Sequence, residues 1–220
     1  MALILNIETA TRNCSVALSK AGAITSLKEI AGEGYSHAEK LHVFIENVVQ
    51  EAGYTFKDLN AVAVSMGPGS YTGLRIGVSA AKGLCYALGL PLIAIDTLEV
   101  IARNISVGNG ELIIPMIDAR RMEVYNAVFT ADYNKIRETK AEIITEESFS
   151  EFESKLHLVG DGAAKCAEIL NSDKFVYHNE VLFPSAAQMC AMSFNKYKIR
   201  DTVDVAYFEP FYLKDFIVNK

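Results

Sequence analysis

No stretch of the 220-residue sequence approaches the roughly 18 uninterrupted apolar residues that a membrane-spanning helix needs. The opening run, MALILNIETATRNC, is too briefly apolar for a signal peptide and lacks a basic flank, so a soluble cytoplasmic protein without membrane contact is expected. The four cysteines, Cys14, Cys85, Cys166 and Cys190, are scattered with no CxxC pair. That spacing supports neither a disulfide framework nor a thiolate zinc site, and reduced, buried thiols are expected. Basic excess is missing too. Net charge is −6, with 8 basic against 9 acidic residues in the first half and 13 against 18 in the second. Affinity for a phosphate backbone comes mainly from clustered Lys and Arg, so RNA is expected to be met only through a partner.

Signatures of catalysis are equally scarce. There is no GxSxG elbow for a nucleophile. His37 and His42 are five residues apart on an expected helix, which turns them about 140° from each other and prevents their sharing an ion. His157 and His178 fall in different elements, without Cys or His at ligand spacing. No catalytic residue, metal or cofactor is therefore assigned.

What is present is a chain half hydrophobic, enough for real cores. Leu3 to Ile7, Cys14 to Ser19 and Ala23 to Glu29 read as three strands of a meander, the last two joined at Ala21-Gly22. Ser36-His37-Ala38-Glu39 has the capping-box form of a helix start. Leu41, Phe44, Ile45, Val48, Val49 and Ala52 then recur at helical spacing, up to a stop at Gly53. A strand from Ala61 to Ser65, a helix from Thr72 to Leu88, a strand from Pro91 to Asp96 and a helix through Ala102 complete a β-β-β-α-β-α-β-α order. The second half repeats it from Leu112 to Asp118, with strands Glu123 to Phe129, Leu156 to Val159 and Phe175 to Tyr177. Its helices are expected near Ala163 to Leu170 and from Ser185 to Tyr197, and Thr130 to Ile143 as an irregular loop. The expected fold is α/β, a duplicated ribonuclease-H-like fold of the actin, sugar kinase and heat-shock ATPase superfamily, with halves 1–105 and 106–220. Fold of itself says nothing of activity.

The segment Ser65-Met66-Gly67-Pro68-Gly69-Ser70-Tyr71-Thr72-Gly73-Leu74-Arg75-Ile76-Gly77 is a strand end, a Gly-rich turn and a helix start. Such a turn is able to hold an anion at a helix N-terminus. It fails the Walker pattern, because Leu74 and Arg75 follow Gly73 where Lys and Ser or Thr are required, and the dinucleotide pattern, because Thr72 stands in a glycine position. The plain alternative is a tight turn with Thr72 or Ser70 capping the helix. Within the helix Gly73, Gly77, Ala80, Ala81 and Leu84 form a stripe of small residues. Each interior glycine costs about 1 kcal/mol of helix propensity, so a compensating backbone approach is expected, from the chain's own sheet or from a partner's helix. Glu8 is able to hold magnesium only if a second carboxylate approaches. Asp96, Asp118 and Asp161 either converge with it or bind nearby amides, as strand-end acids commonly do.

Leu3-Ile4-Leu5-Asn6-Ile7-Glu8-Thr9-Ala10 with Cys14-Ser15-Val16-Ala17-Leu18, the GPGSYTGLRIG run from Gly67 to Gly77, Pro91-Leu92-Ile93-Ala94-Ile95-Asp96-Thr97-Leu98-Glu99 and the terminal Pro210-Phe211-Tyr212-Leu213-Lys214 closely resemble the TsaB family. The likeness is dense to about residue 105 and sparse after it. It implies a degenerate paralogue of the transferase TsaD. Where TsaD has two metal-binding histidines, the matching positions are Thr97 and Ile101. The resemblance further implies a non-catalytic subunit that supports TsaD in placing a threonylcarbamoyl group on adenosine 37 of tRNAs that read codons starting with A. TsaE joins the assembly, and the chain pairs with itself when TsaD is absent. The expected partner interface is Leu41, Ile45, Val48, Tyr71, Thr72, Gly73, Arg75, Ile76, Gly77, Ala80, Ala81 and Leu84, and Gly77→Leu is expected to abolish copurification without unfolding the chain. Rival readings are a kinase-like ATP-dependent enzyme, a metallopeptidase-like protein and a scaffold for another partner. The kinase reading lacks the Asp-x-Gly of a phosphate-binding hairpin, since Asn6-Ile7-Glu8 stands there.

Overall fold

The segment Leu3–Glu8 (β1) is buried at all its positions, as a strand covered on both faces must be. In the computed structural model, which describes residues 1–32 and 37–213, it is the middle strand of a five-stranded sheet. Asn13–Lys20 (β2) pairs antiparallel with it, and Ala23–Ala31 (β3) antiparallel with β2. Ala61–Gly67 (β4) and Leu92–Asp96 (β5) add in parallel on the other side, giving the order β3-β2-β1-β4-β5.

Alternation along β1 sends Leu3, Leu5 and Ile7 into a core shared with two helices, His37–Glu51 (α1) and Tyr71–Leu88 (α2). The Ser36 of the expected capping box lies outside the described residues. Ser70 caps α2, its hydroxyl accepting from the Gly73 amide, and Gly89 ends it in the left-handed conformation (φ 65°). The inner face of α2 meets the chain just after β1. A Cβ on Gly73 would run into the Thr9 carbonyl, and one on Gly77 into the Thr9 hydroxyl. That hydroxyl donates to the Gly73 carbonyl at 2.8 Å. The helix is seated there backbone to backbone.

Leu112–Asp118 (β6), Glu123–Thr130 (β7), Lys135–Ile143 (β8), Leu156–Val159 (β9) and Phe175–His178 (β10) form a second sheet, after the helix Thr97–Ala102 (α3). Its order, β10-β9-β6-β7-β8, repeats the first, with β7 antiparallel and β9 parallel to β6. The fold is thus α/β with a duplicated ribonuclease-H-like sheet. The helices are not duplicated in the same way. Residues 144–155 between β8 and β9 contain no helix, and the helix expected from Ala163 to Leu170 is a 3-10 turn, Ala164–Cys166, closed by bonds such as Ile169 N to Cys166 O. Its flanks are tied down, by Gly162 N to Met116 O and by the Tyr177 hydroxyl to Leu170 O, which leaves little room for regular turns. The loop expected from Thr130 to Ile143 is instead mostly β8, an edge strand rich in charge in which half-buried and exposed positions largely alternate.

The division into units also differs from 1–105 and 106–220. One compact unit is Met1–Thr97 with Pro184–Phe211, the other Leu98–Phe183 with Tyr212–Lys220. Ala186–Lys198 (α4), expected to complete the second half, packs on the first sheet. Cys190 of α4 lies 3.7 Å from Asn6, on the face of β1 opposite α1 and α2. Asn13 donates to Pro184 O at 2.9 Å, and one oxygen of Glu29 accepts from Asn13, Ser15 and Ser185. A periodic stretch of sequence states that a helix has an apolar side and is silent on which sheet covers it.

Because the space beside Gly77 is filled by Thr9, Gly77→Leu unfolds or strongly destabilises the chain, contrary to the expectation from sequence. Gly77→Ala lowers the free energy of unfolding by about 1–3 kcal/mol, read from urea denaturation midpoints at constant slope.

Candidate protein-docking groove

The Gly-rich turn before α2 resembles an anion cradle in sequence and is otherwise engaged in the fold. Gly67 N donates to the Thr97 hydroxyl at 3.1 Å, Ser70 N to Ala10 O at 2.7 Å, Gly73 N to the Ser70 hydroxyl and Leu74 N to Ser70 O. A Cβ on Gly69 would overlap Ala10. These amides stitch the turn to the segment after β1 and do not point at open space, which answers the choice left by the sequence in favour of a capped structural turn.

The outer faces of α1 and α2 enclose a groove of about 640 Å³. Ala38 and His42 line it from α1, one turn apart. Ile76, Ala80, Gly83 and Leu84 line it from α2 with Arg75 and Ser79. Small residues on both walls leave depth, and spacing of three and four on each helix is what a groove that accepts another helix presents. The Arg75 guanidinium lies 4.0 Å from the centre of the Tyr71 ring, a cation–π contact within α2.

Twelve residues were expected at a partner interface, and they separate by face. Leu41, Ile45, Val48, Gly73, Gly77 and Ala81 are buried in the chain's own fold. Arg75, Ile76, Ala80 and Leu84 line the groove, Thr72 is exposed and Tyr71 half-buried. The twelve are drawn from both faces of the helices, and the groove is further lined by Ala38, His42, Ser79 and Gly83, which the sequence reading did not place there. The available signal was Gly83, a glycine inside the helix and off the inner stripe.

Comparison with known proteins bears on what this groove serves. A family model described as TsaD: tRNA N6-adenosine threonylcarbamoyltransferase matches residues 30–212. The tRNA threonylcarbamoyladenosine biosynthesis protein TsaB of Escherichia coli (strain K12) is 32% identical, over 99% of this chain and 96% of that protein. The chain belongs to the TsaB family. The TsaB of Haemophilus influenzae is 28% identical over 99% of this chain and 95% of its own length. The solved structure of YeaZ from Pseudomonas aeruginosa superposes with a TM-score of 0.85 at 24% identity, covering 97% of this chain and all of that one, so the fold is shared.

As a TsaB-family chain with a TsaD-like model match, it invites the question of which side chains could support chemistry. Thr97 is buried with its hydroxyl spent on Gly67 N, and Ile101 sits in the apolar core under the second sheet. This pair does not fit a metal ion, since an isoleucine offers no donor atom. Asp118 accepts from Arg120 N and pairs with Lys165, while Asp161 accepts from Asp118 N. Strand-end acids are binding amides here. Arg12 is exposed. Burial pushes the Cys14, Cys85 and Cys190 thiols up to about 11, far from nucleophilic at neutral pH.

Glu8 is fully buried, with one oxygen accepting from Ala10 N at 2.6 Å and the Ser65 hydroxyl at 3.0 Å. Its hydrogen-bond partners are an amide and a hydroxyl, without the second carboxylate that a magnesium site needs. Burial raises its carboxyl to about 7, against the lowering effect of those bonds. The folded chain therefore keeps a proton between about pH 4.5 and 7 that the unfolded chain has lost. Stability falls as pH rises through that window, by about 3 kcal/mol once above it. Glu8→Gln abolishes this slope, which denaturant titrations at a series of pH values measure.

Proposed function

We propose that this chain is a non-catalytic subunit that supports TsaD in threonylcarbamoyl transfer to adenosine of tRNAs reading codons that start with A, docking on TsaD through the α1–α2 groove. The observation that carries the docking reading is Gly83. Gly73 and Gly77 are required by the chain's own backbone, whereas a Cβ on Gly83 would meet nothing within 4 Å. A glycine at an exposed helical position costs about 1 kcal/mol relative to alanine, and among the described residues no contact at its missing Cβ offsets it. A helix of another protein lying close to α2 at Gly83 supplies the missing reason. The groove's walls of Ala38, Ala80 and Leu84 suit such a helix, as does the neighbouring His42.

The supporting role follows from what occupies the remaining positions. Thr97 and Ile101, where the resemblance places the metal ligands of TsaD, serve packing and a backbone hydrogen bond. A net charge of −6 disfavours direct hold on a phosphate backbone, so tRNA is met through the complex and the chemistry takes place on TsaD. TsaE completes the assembly in the cytoplasm. In isolation, two copies of this chain close the same groove on each other.

Two measurements test the reading. TsaD and TsaE are assayed for modified tRNA with and without this chain; modification depends on it, and equal modification without it removes the proposal. Gly83→Leu keeps the fold and weakens copurification with TsaD at least about tenfold, equivalent to about 1.4 kcal/mol. Gly83→Ala raises the stability of the free chain by about 1 kcal/mol.

A further inference from the structure

His157 on β9 and His178 on β10 carry no ligand signature in sequence, and the second sheet brings them together. Parallel pairing sets Val176 beside His157 and His178 beside Val159, which leaves the two rings as diagonal neighbours. His157 Nδ1 is 2.9 Å from His178 Nε2. The other nitrogen of each ring faces a carboxylate: His157 Nε2 is 3.1 Å from Glu111 and His178 Nδ1 is 3.3 Å from Glu180. The result is a linear chain of acid, imidazole, imidazole and acid, with three contacts.

Counting protons gives what closing all three contacts requires. An ionised carboxylate only accepts, and a neutral imidazole has one donor and one acceptor. The two outer contacts each require a ring N–H, and the middle contact requires one N–H facing one lone pair. Three protons on two rings are needed, one more than two neutral imidazoles carry. Both carboxyls are held below the usual carboxylate range, Glu111 by the Gly108 amide and then by His157, Glu180 by its own backbone amide and then by His178, so they remain acceptors. Lys155, just before β9, adds its charge at Glu111. We infer that Glu111, His157, His178 and Glu180 form a proton-operated clasp on the edge strand β10, closed by one imidazolium shared between the two rings and opened at Glu180 when that proton leaves.

The clasp has something to hold. Apart from it, β10 is a four-residue edge strand bonded along one side to β9. The turn that follows runs through Glu180 to Val181, whose amide donates to His178 O and whose carbonyl accepts from Gly160 N at 3.0 Å. Gly160 adjoins Asp161, the acceptor for the Asp118 amide at the end of β6. With both rings neutral, a lone pair of His178 faces the Glu180 carboxylate. Repulsion turns Glu180 outward and loosens the turn that secures Gly160. Rising pH therefore opens the loop at the ends of β9 and β10, and falling pH fastens it.

The full chain with 15N-labelled histidine tests this. Long-range proton–nitrogen correlation reports the protonation of each ring across about pH 5 to 8, the range in which imidazoles change charge. Amide exchange at Gly160 and Val181, corrected for its intrinsic pH dependence, reports the clasp. The expected result is a coupled titration in two steps, with one imidazolium spread over both rings between them, and a several-fold loss of protection as the shared proton leaves. Glu180→Gln is the decisive variant. Its amide is able to donate to His178, so the three contacts close with two ring protons and protection persists at high pH; Glu180→Ala loses it throughout. The Glu180 side chain is 70% exposed, so neither change threatens the fold. Independent single-site titration of the two histidines overturns the inference, as does a wild-type pH profile for Glu180→Gln. So does a stoichiometric zinc ion bound between deprotonated rings in the purified protein.

Discussion

The contact between α2 and the segment after β1 is the constraint on which the first unit depends. At Gly73 and Gly77 the helix lies so close to Thr9 that no side chain fits between them. The Thr9 hydroxyl, donating to Gly73 O, fixes the depth of that seat. Once α2 is pinned there, its rotation about its own axis is set. Gly73, Gly77 and Ala81 turn inward, and Ile76, Ala80, Gly83 and Leu84 turn toward α1 and solvent. The groove between α1 and α2 is thus a consequence of the backbone approach on the other side of the same helix. The inner stripe of small residues is accounted for by this backbone approach, whereas Gly83 on the other face is not.

The same seat accounts for the Gly-rich turn. In a nucleotide-binding loop the amides at the helix start stay open for phosphate. Here the Thr97 hydroxyl, Ala10 O and the Ser70 cap take up several of them, so the turn becomes a structural joint between β4, the segment after β1 and α2. Glu8 beneath it is locked in the same way, a buried acid satisfied on one oxygen by local donors and kept partly protonated by its desolvation. Elements that elsewhere handle phosphate or metal are used here for cohesion.

Much of this was legible in the residues. Apart from β8, the strands were found nearly to their ends because short apolar, β-branched runs bounded by turn residues are read locally, and the duplication showed in two strand–turn–strand beginnings about half a chain apart. The caps of α2 at Ser70 and Gly89 are local chemistry as well. Where reading failed, a partner outside the segment itself decided. β8 was missed because half its residues are charged, and its pairing with β7 supplies what its composition does not. The turn around Ala164–Cys166 has the composition of a helix and is held short by bonds to Met116 and Tyr177.

By itself the sequence determined the α/β class, the succession of elements in the first half, the absence of a nucleophile or nucleotide motif and the family. Those properties reside in single segments, where spacing, propensity and motif act over a few residues. Only the tertiary structure decided which stripe of α2 is consumed by the fold, which sheet α4 covers and that His157 and His178 share a hydrogen bond. Periodicity along a chain records that a face avoids water. What it avoids water against is set by segments far away along the chain, brought near as each sheet is assembled.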